Sequence, residues 1–297
     1  MFLLSRLRMT GSIRIAEVSR ELNVSSMTIR RDIVELEDQG LVRRVHGGAV
    51  AASALLAEPL FSVKSQFDVK AKDRIAQKAI EFVHPGDVVA IGGGTTAYIF
   101  AQRLFGSEVS EGLTVLTNSV PVAELGQSAH SHNIEVIATG GVLTRSSSMV
   151  GPMADRAIKQ LRVNSLFLGT HSVSLSRGFL TPNPLEASTN RALMSIADHT
   201  YILADHTKWH ATSLTLFASF AEVDTLITDD QLGDEEYAMT SKRIAHLVLA
   251  PAADEGPYVS PVPIAHHAPF DPFAALEKQE KSQNKSESGK SRHRAVQ

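Results

Sequence analysis

Two sets of residues in this 297-residue chain have types and spacings suited to chemistry. The first is Gly92-Gly93-Gly94-Thr95-Thr96. Glycines let the backbone approach a ligand closely, and free N–H groups with threonine hydroxyls can hold an anion. Small polar punctuation recurs at Thr117-Asn118-Ser119, Thr139-Gly140-Gly141, Gly169-Thr170-His171 and Ala204-Asp205. The second set is Ser25, Ser26, Thr28, Arg30 and Arg31, followed by Arg43, Arg44 and His46. Arginine suits bidentate contact with phosphate or guanine, and hydroxyls suit either a base or a phosphate.

Other chemistries fit less well. Gly92-x-Gly94-x-x-Ala97 satisfies a dinucleotide fingerprint, but an acid is wanted at the end of the second strand, where Asn118 stands. The absence of cysteine excludes disulfides and thiolate-bound zinc. The tight histidine pairs His130/His132 and His206/His210 lack a third ligand of suitable type. Neither a metal nor a cofactor is expected, and no residue is assigned a catalytic role. No run approaches the roughly 20 apolar residues of a membrane span. Residues 1–13 hold Arg6 and Arg8 and no small-residue cleavage signal. A cytoplasmic chain without membrane contact is expected.

The elements that must position the basic set lie in residues 1–50. Leu3, Leu4 and Leu7 suggest a short helix ended by Thr10-Gly11, and Ile15, Val18 and Leu22 repeat as a second, amphipathic one. Asn23-Val24 forms a tight break before Ser25, a natural N-cap. Ile29, Ile33 and Leu36 form the buried stripe of the third helix, and Gly40 stands where a C-cap belongs. Leu41 to His46 reads as a strand and Gly47-Gly48 as a hairpin turn. A helix-turn-helix followed by a basic wing is the expected α+β domain, with Arg30 and Arg31 on the recognition helix. The charge agrees locally: residues 1–50 hold eight arginines against six acids, although the whole chain carries −3.

Residues 51–62, Ala-rich with Pro59, read as a linker, and residues 63–251 as a second domain. Ile75, Ala76, Ala79, Ile80 and Val83 describe a helix. Apolar runs then alternate with helical stretches at Val88–Ile91, Thr114–Thr117, Ile134–Ala138, Ser165–Gly169, Tyr201–Ala204, Thr225–Thr228 and His246–Leu249. Several are apolar on both faces, as in a covered, mostly parallel sheet, so the class is α/β. Ligands of such sheets sit at the carboxyl ends of strands, so the polar loops should converge on one site. Residues 252–297 lack periodicity, and residues 278–297 carry six basic and two acidic side chains, which reads as a disordered tail.

Val24 to Asp32, followed by Leu36, Gly40, Arg44 and His46-Gly47-Gly48-Ala49, resembles the signature of DeoR-type regulators. The resemblance continues through Gly94-Thr95-Thr96, Thr117-Asn118-Ser119, Gly140-Gly141, Gly151, Gly178 with Thr181 and Glu186, Asp205 with Lys208, and Ile227-Thr228-Asp229. It covers roughly residues 3–230. It implies a sensor resembling ribose-5-phosphate isomerase and a phosphorylated sugar or related metabolite as effector. By that resemblance Gly94, Thr95 and Thr96 take the phosphate, while Asn118, Glu186, Asp205 and Lys208 face the sugar hydroxyls or the phosphate charge. Gly140, Gly141, Lys64 and Lys72 also match its pattern. It further implies double-stranded operator DNA as partner, a dimer or tetramer formed through the sensor half, and release of a repressor by the effector. Three departures stand out. The family has more residues before its first helix than this chain. Its Asp-Ser is Gly92-Gly93 here, and His171 replaces an acid. His171 then either contacts the ligand or is a buried histidine satisfied by a carbonyl. The alternative function is a sugar-phosphate isomerase with an accessory DNA-binding domain, which needs a base to move a proton between carbons.

Overall fold

The computed structural model describes residues 2–3, 6–7, 12–38, 42–45, 47–51, 61–65, 67–128 and 133–252. Gly40, His46, His130, His132, most of the linker stretch and the tail beyond residue 252 lie outside these.

In the N-terminal half, strand β1 (Ser12–Arg14) leads into helix α1 (Ile15–Leu22). Asn23 then takes a left-handed conformation, φ 51°, which turns the chain without glycine. Helix α2 (Ser26–Asp38) follows, and Ser25 caps it: its Oγ accepts from the Thr28 N–H at 3.1 Å. Strands β2 (Val42–Val45) and β3 (Gly48–Ala51) form the wing hairpin, with Gly47 at φ 78°. The expectation had no strand before α1, yet β1 pairs antiparallel with β3 and completes a three-stranded sheet. Three residues ending in a charged Arg14 are too short to show alternation. Leu3, Leu7, Ile13, Val18, Ile29, Ile33, Val42 and Ala49 make one small core. Leu22, expected on the buried face, is exposed.

The second half begins with α3 (Phe61–Lys64) and α4 (Val69–Ile80). Phe61 is buried edge-on against Tyr98, 5.5 Å between ring centroids, and its N–H donates to the Arg145 carbonyl. Then follow β4 (Val88–Ile91), α5 (Thr95–Phe105), β5 (Thr114–Thr117), α6 (Val120–Ser128) and β6 (Glu135–Ala138). A small hairpin, β7 (Val142–Leu143) and β8 (Met149–Val150), precedes α7 (Pro152–Ile158) and β9 (Val163–Gly169). Strands β10 (Ser172–Ser174) and β11 (Gly178–Thr181) lead to α8 (Pro184–Met194) and β12 (Ala197–Leu203). The chain finishes with β13 (Thr215–Ala218), β14 (Thr225–Asp229), α9 (Asp234–Ser241) and β15 (His246–Ala250).

All seven expected strands join one parallel sheet in the order β15-β14-β12-β9-β4-β5-β6. Two apolar layers cover it. One centres on Ile75, Ala79, Phe100, Leu104 and Phe167, the other on Ile158, Leu166, Phe179, Leu193 and Ile202. The chain runs from β4 through β5 to β6 on one side, then returns to β9 on the other. That reversal opens a crevice between the ends of β4 and β9, the place where open α/β sheets bind ligands. An antiparallel sheet of β10, β11 and β13, absent from the sequence reading, stands apart from the main sheet.

Candidate functional site

The crevice is a cleft of about 890 Å³ of atom-free space, its open mouth included. Of the residues assigned to the effector, Lys64, Lys72, Gly94, Thr95, Thr96, Asn118, His171, Glu186 and Lys208 line it. Asp205 lies fully buried beside Lys208, while Gly140 and Gly141 are not among the lining residues. Gly141 has a structural reason of its own: its φ is 124°, and a Cβ there would meet the Val150 carbonyl oxygen at 2.7 Å across the β7–β8 hairpin.

Gly94, at φ 115°, sits at the N-cap of α5, and nothing would meet a Cβ there within 4 Å. The first N–H groups of an α-helix have no partner within it, so the turn at Thr95 and Thr96 offers donors and a positive dipole end to the cleft. At the two residues where the resemblance has Asp-Ser, a side chain would have to displace the end of a neighbouring one. A Cβ on Gly92 would meet Leu168 Cδ2 at 2.3 Å, and one on Gly93 would meet Ser148 Oγ at 1.9 Å. The Ser148 hydroxyl thus occupies the space beside Gly93.

Asn118 is 1 % exposed; its Nδ2 donates to the Met149 carbonyl at 3.1 Å and its Oδ1 has no partner among the described residues. An acceptor buried without a partner costs free energy, and a ligand hydroxyl would satisfy it. Glu186 accepts from Thr144 Oγ1 at 3.0 Å, from the Ser146 hydroxyl and from Thr181 Oγ1 at 2.9 Å. Three hydroxyl donors hold the carboxylate in place.

The other wall is cationic. Lys72, 3 % exposed, donates to the carbonyls of Lys64 and Phe67 at 2.9 and 2.5 Å. Burial and then the Lys208 charge push its ammonium down to about 8, against the pull of Asp205 and Asp68. Burial pushes Asp205 up, but Lys208, Lys72 and the Thr207 hydroxyl outweigh it and hold the carboxyl at about 2. Lys208 Nζ lies 3.3 Å from Asp205 Oδ2. Asp205 Oδ1 accepts from the Thr207 N–H at 3.1 Å. Of the two residues the resemblance turns toward the effector, Lys208 lines the cleft, while Asp205 is buried behind it. His171 is held well below its ordinary value by burial and by the charges of Lys64 and Lys208, so its ring is neutral. No carbonyl satisfies that ring among the described hydrogen bonds; its backbone N–H donates to the Leu180 carbonyl at 3.1 Å. Next to Asp205, His206 Nδ1 and Asp229 Oδ2 are 2.8 Å apart. This hydrogen bond raises the His206 pKa against the effect of burial.

Sequence reasoning missed Phe67, Asp68, Ser146, Ser148, Asn190, Thr207 and Phe217 in the lining. The run Ser146-Ser147-Ser148 after two glycines was the available signal. A bridge pairing Ser119 with Ser148 carries it to Asn118. Among the described residues no group of three or more His, Asp or Glu gathers as for a metal, and no helix is long and apolar enough to cross a membrane.

In the N-terminal half, Arg30 and Arg31 are exposed and make no ion pair among the described residues. Ser25 and Thr28 are engaged with each other, hydroxyl to hydroxyl at 2.9 Å, and Ser26 Oγ lies 3.4 Å from Ser19 Oγ. Arg44 is tied to Glu37 of α2, which accepts from both its Nε and, at 2.8 Å, its backbone N–H. Wing and helix are thereby locked together. Arg43 lies on β2, its side chain outside the described set, and His46 is outside it altogether.

Residues 2–54 match the model of the DeoR-like helix-turn-helix domain, and residues 68–230 that of the DeoR C terminal sensor domain. The uncharacterized HTH-type transcriptional regulator YulB of Bacillus subtilis is 33% identical over 250 residues, covering 84% of this chain and 94% of that protein. The lactose phosphotransferase system repressor of Staphylococcus aureus is 31% identical, covering 80% of this chain and 93% of that protein. Among solved structures, ribose 5-phosphate isomerase A of Methanocaldococcus jannaschii is 16% identical, with a TM-score of 0.35, over 48% of this chain and 55% of that one. The chain thus spans about half the length of that enzyme. With both domains matched in order and relatives aligned along most of their length, the chain belongs to the DeoR family of transcriptional regulators.

Proposed function

We propose that this chain is a cytoplasmic repressor of carbohydrate-metabolism genes, released from double-stranded operator DNA by a phosphorylated sugar. The observation that carries the reading is a cleft with three features, in one chain with a winged helix-turn-helix. They are a helix N-terminus, a buried Lys72 and an unfilled acceptor at Asn118. The helix dipole and the lysines suit a phosphate, while Asn118 Oδ1 and the neutral His171 ring suit hydroxyls. The name of the lactose phosphotransferase repressor supports both the repressive sense and the carbohydrate context. Two copies, joined through the sensor half, would set two recognition helices at half-sites one helical turn, or a multiple, apart. Effector binding then weakens DNA binding by its differential affinity for the two states.

The isomerase alternative needs a carboxylate free to move a proton. Glu186 is occupied by three hydroxyls and Asp205 is buried behind Lys208, which favours a binding site over a catalytic one. The test is thermal stability with sugar phosphates, each against its parent sugar. A ligand at 100 times its Kd adds about 2.7 kcal/mol. Stabilisation by one phosphorylated sugar and not its parent, with loss of operator retention, is expected. No stabilisation, or turnover in a coupled isomerase assay, would overturn the proposal.

A further inference from the structure

Helix α2 carries an apolar side chain where its core does not need one. Met27, in the first turn, keeps 71 % of its surface exposed, while Ile29 and Ile33 are 1 % exposed. At about 100° per residue, the direction opposite those isoleucines is occupied by Met27 and Arg31, with Thr28 and Arg30 on the flanks. Further along, the outward positions are Val34, Glu35 and Asp38. Acids there would be repelled by a phosphate-lined groove, so the first two turns are the ones able to enter. Arg30 and Arg31 accompany Met27 with no ion-pair partner among the described residues. The nearby hydroxyls of Ser25 and Thr28 are turned to each other.

The major groove offers one apolar feature, the C5-methyl group of thymine. A long, unbranched thioether beside two guanidiniums that make no ion pair among the described residues matches that feature in reach, polarity and surroundings. We propose that Met27 is a specificity-determining residue that packs on a thymine methyl, so each half-site holds one thymine read through its methyl group. The assignment rests on the DNA-binding reading above.

The test uses the full chain and a duplex that it selects from a random library. Each thymine is replaced in turn by uracil, which removes only the methyl. At one position per half-site, uracil should weaken binding by about fourfold, the value of one buried CH₂ group. Met27→Ala should weaken binding to the thymine duplex by a similar factor and be indifferent to uracil at that position alone. Its thermal midpoint should stay unchanged, because the side chain is exposed. A uracil penalty that persists in Met27→Ala, or an unchanged affinity of that variant, overturns the assignment while leaving the DNA-binding reading intact. A change of oligomeric mass in Met27→Ala also overturns it, making Met27 an interface between copies. A chain that selects no duplex removes the DNA-binding reading and this assignment together.

Discussion

The recognition helix and the cleft both present cations to anions, yet they solvate them in opposite ways. Arg30 and Arg31 stand in water without ion-pair partners among the described residues, whereas Lys72 is buried and donates to two carbonyls. Exposed charges are screened by salt and release counterions on binding DNA, so their contribution follows ionic strength. Buried charges are screened less, and burial moves their pKa values instead, so their contribution follows pH. A regulator built this way can hold its DNA by a salt-dependent contact while sensing a metabolite by a nearly salt-independent one.

The largest test of this contrast is Asp205→Ala. Removing the carboxylate leaves Lys72 and Lys208 without their buried counter-charge and should destabilise the sensor half by about 3–5 kcal/mol in chemical denaturation. In the intact protein the stabilisation from Asp205 is full above the unfolded carboxyl range near pH 4. It is lost as pH falls toward about 2, because the folded pKa is depressed. A loss below 1 kcal/mol would break the comparison on the buried side.

Next in size, Arg31→Ala should weaken operator binding by about 1–3 kcal/mol in a gel-shift titration. Wild-type operator affinity should fall steeply between 50 and 200 mM salt, values at which phosphate-dependent binding changes by orders of magnitude. Effector affinity over the same range should change far less; equal slopes would erase the distinction. The pH side sharpens the same point. An anion bound at Lys72 favours its charged form, so binding near pH 8 should take up protons, and affinity should decline as pH rises through about 8. Calorimetry in buffers of different ionisation enthalpy measures that uptake, and Lys72→Met should abolish it. The smallest expected effect is Ser25→Ala, about 1 kcal/mol of stability in the N-terminal half from loss of the α2 cap.

Legibility in the sequence followed the physics of each region. The seven parallel strands could be read because strands such as β9 and β14 are buried on both faces and end in glycine, threonine or aspartate. Strands β10, β11 and β13 could not. Ser172-Val173-Ser174 is short and mostly polar, and Leu180 pairs with Leu216 across an intervening helix and strand. The cleft divides the same way. Gly94, Thr95, Thr96 and Asn118 stand directly at strand ends, whereas Ser146 and Ser148 arrive from a hairpin whose register alone brings them there. The burial of Asp205 was equally invisible, since an Asp three residues before a Lys reads as a surface pair until packing is known.

Phe61 gives the arrangement a mechanical aspect. The residue at which the chain enters the sensor is gripped on one side by Tyr98, on the helix that opens with Thr95 and Thr96. On the other side it is held by the Arg145 carbonyl, one residue before Ser146. Both grips therefore belong to segments that contact the cleft. The point at which the chain enters the sensor is thus anchored in the two segments an effector would touch. An effector that displaced either segment would therefore shift the residue through which the chain joins its sensor, a lever set one turn of helix from the ligand.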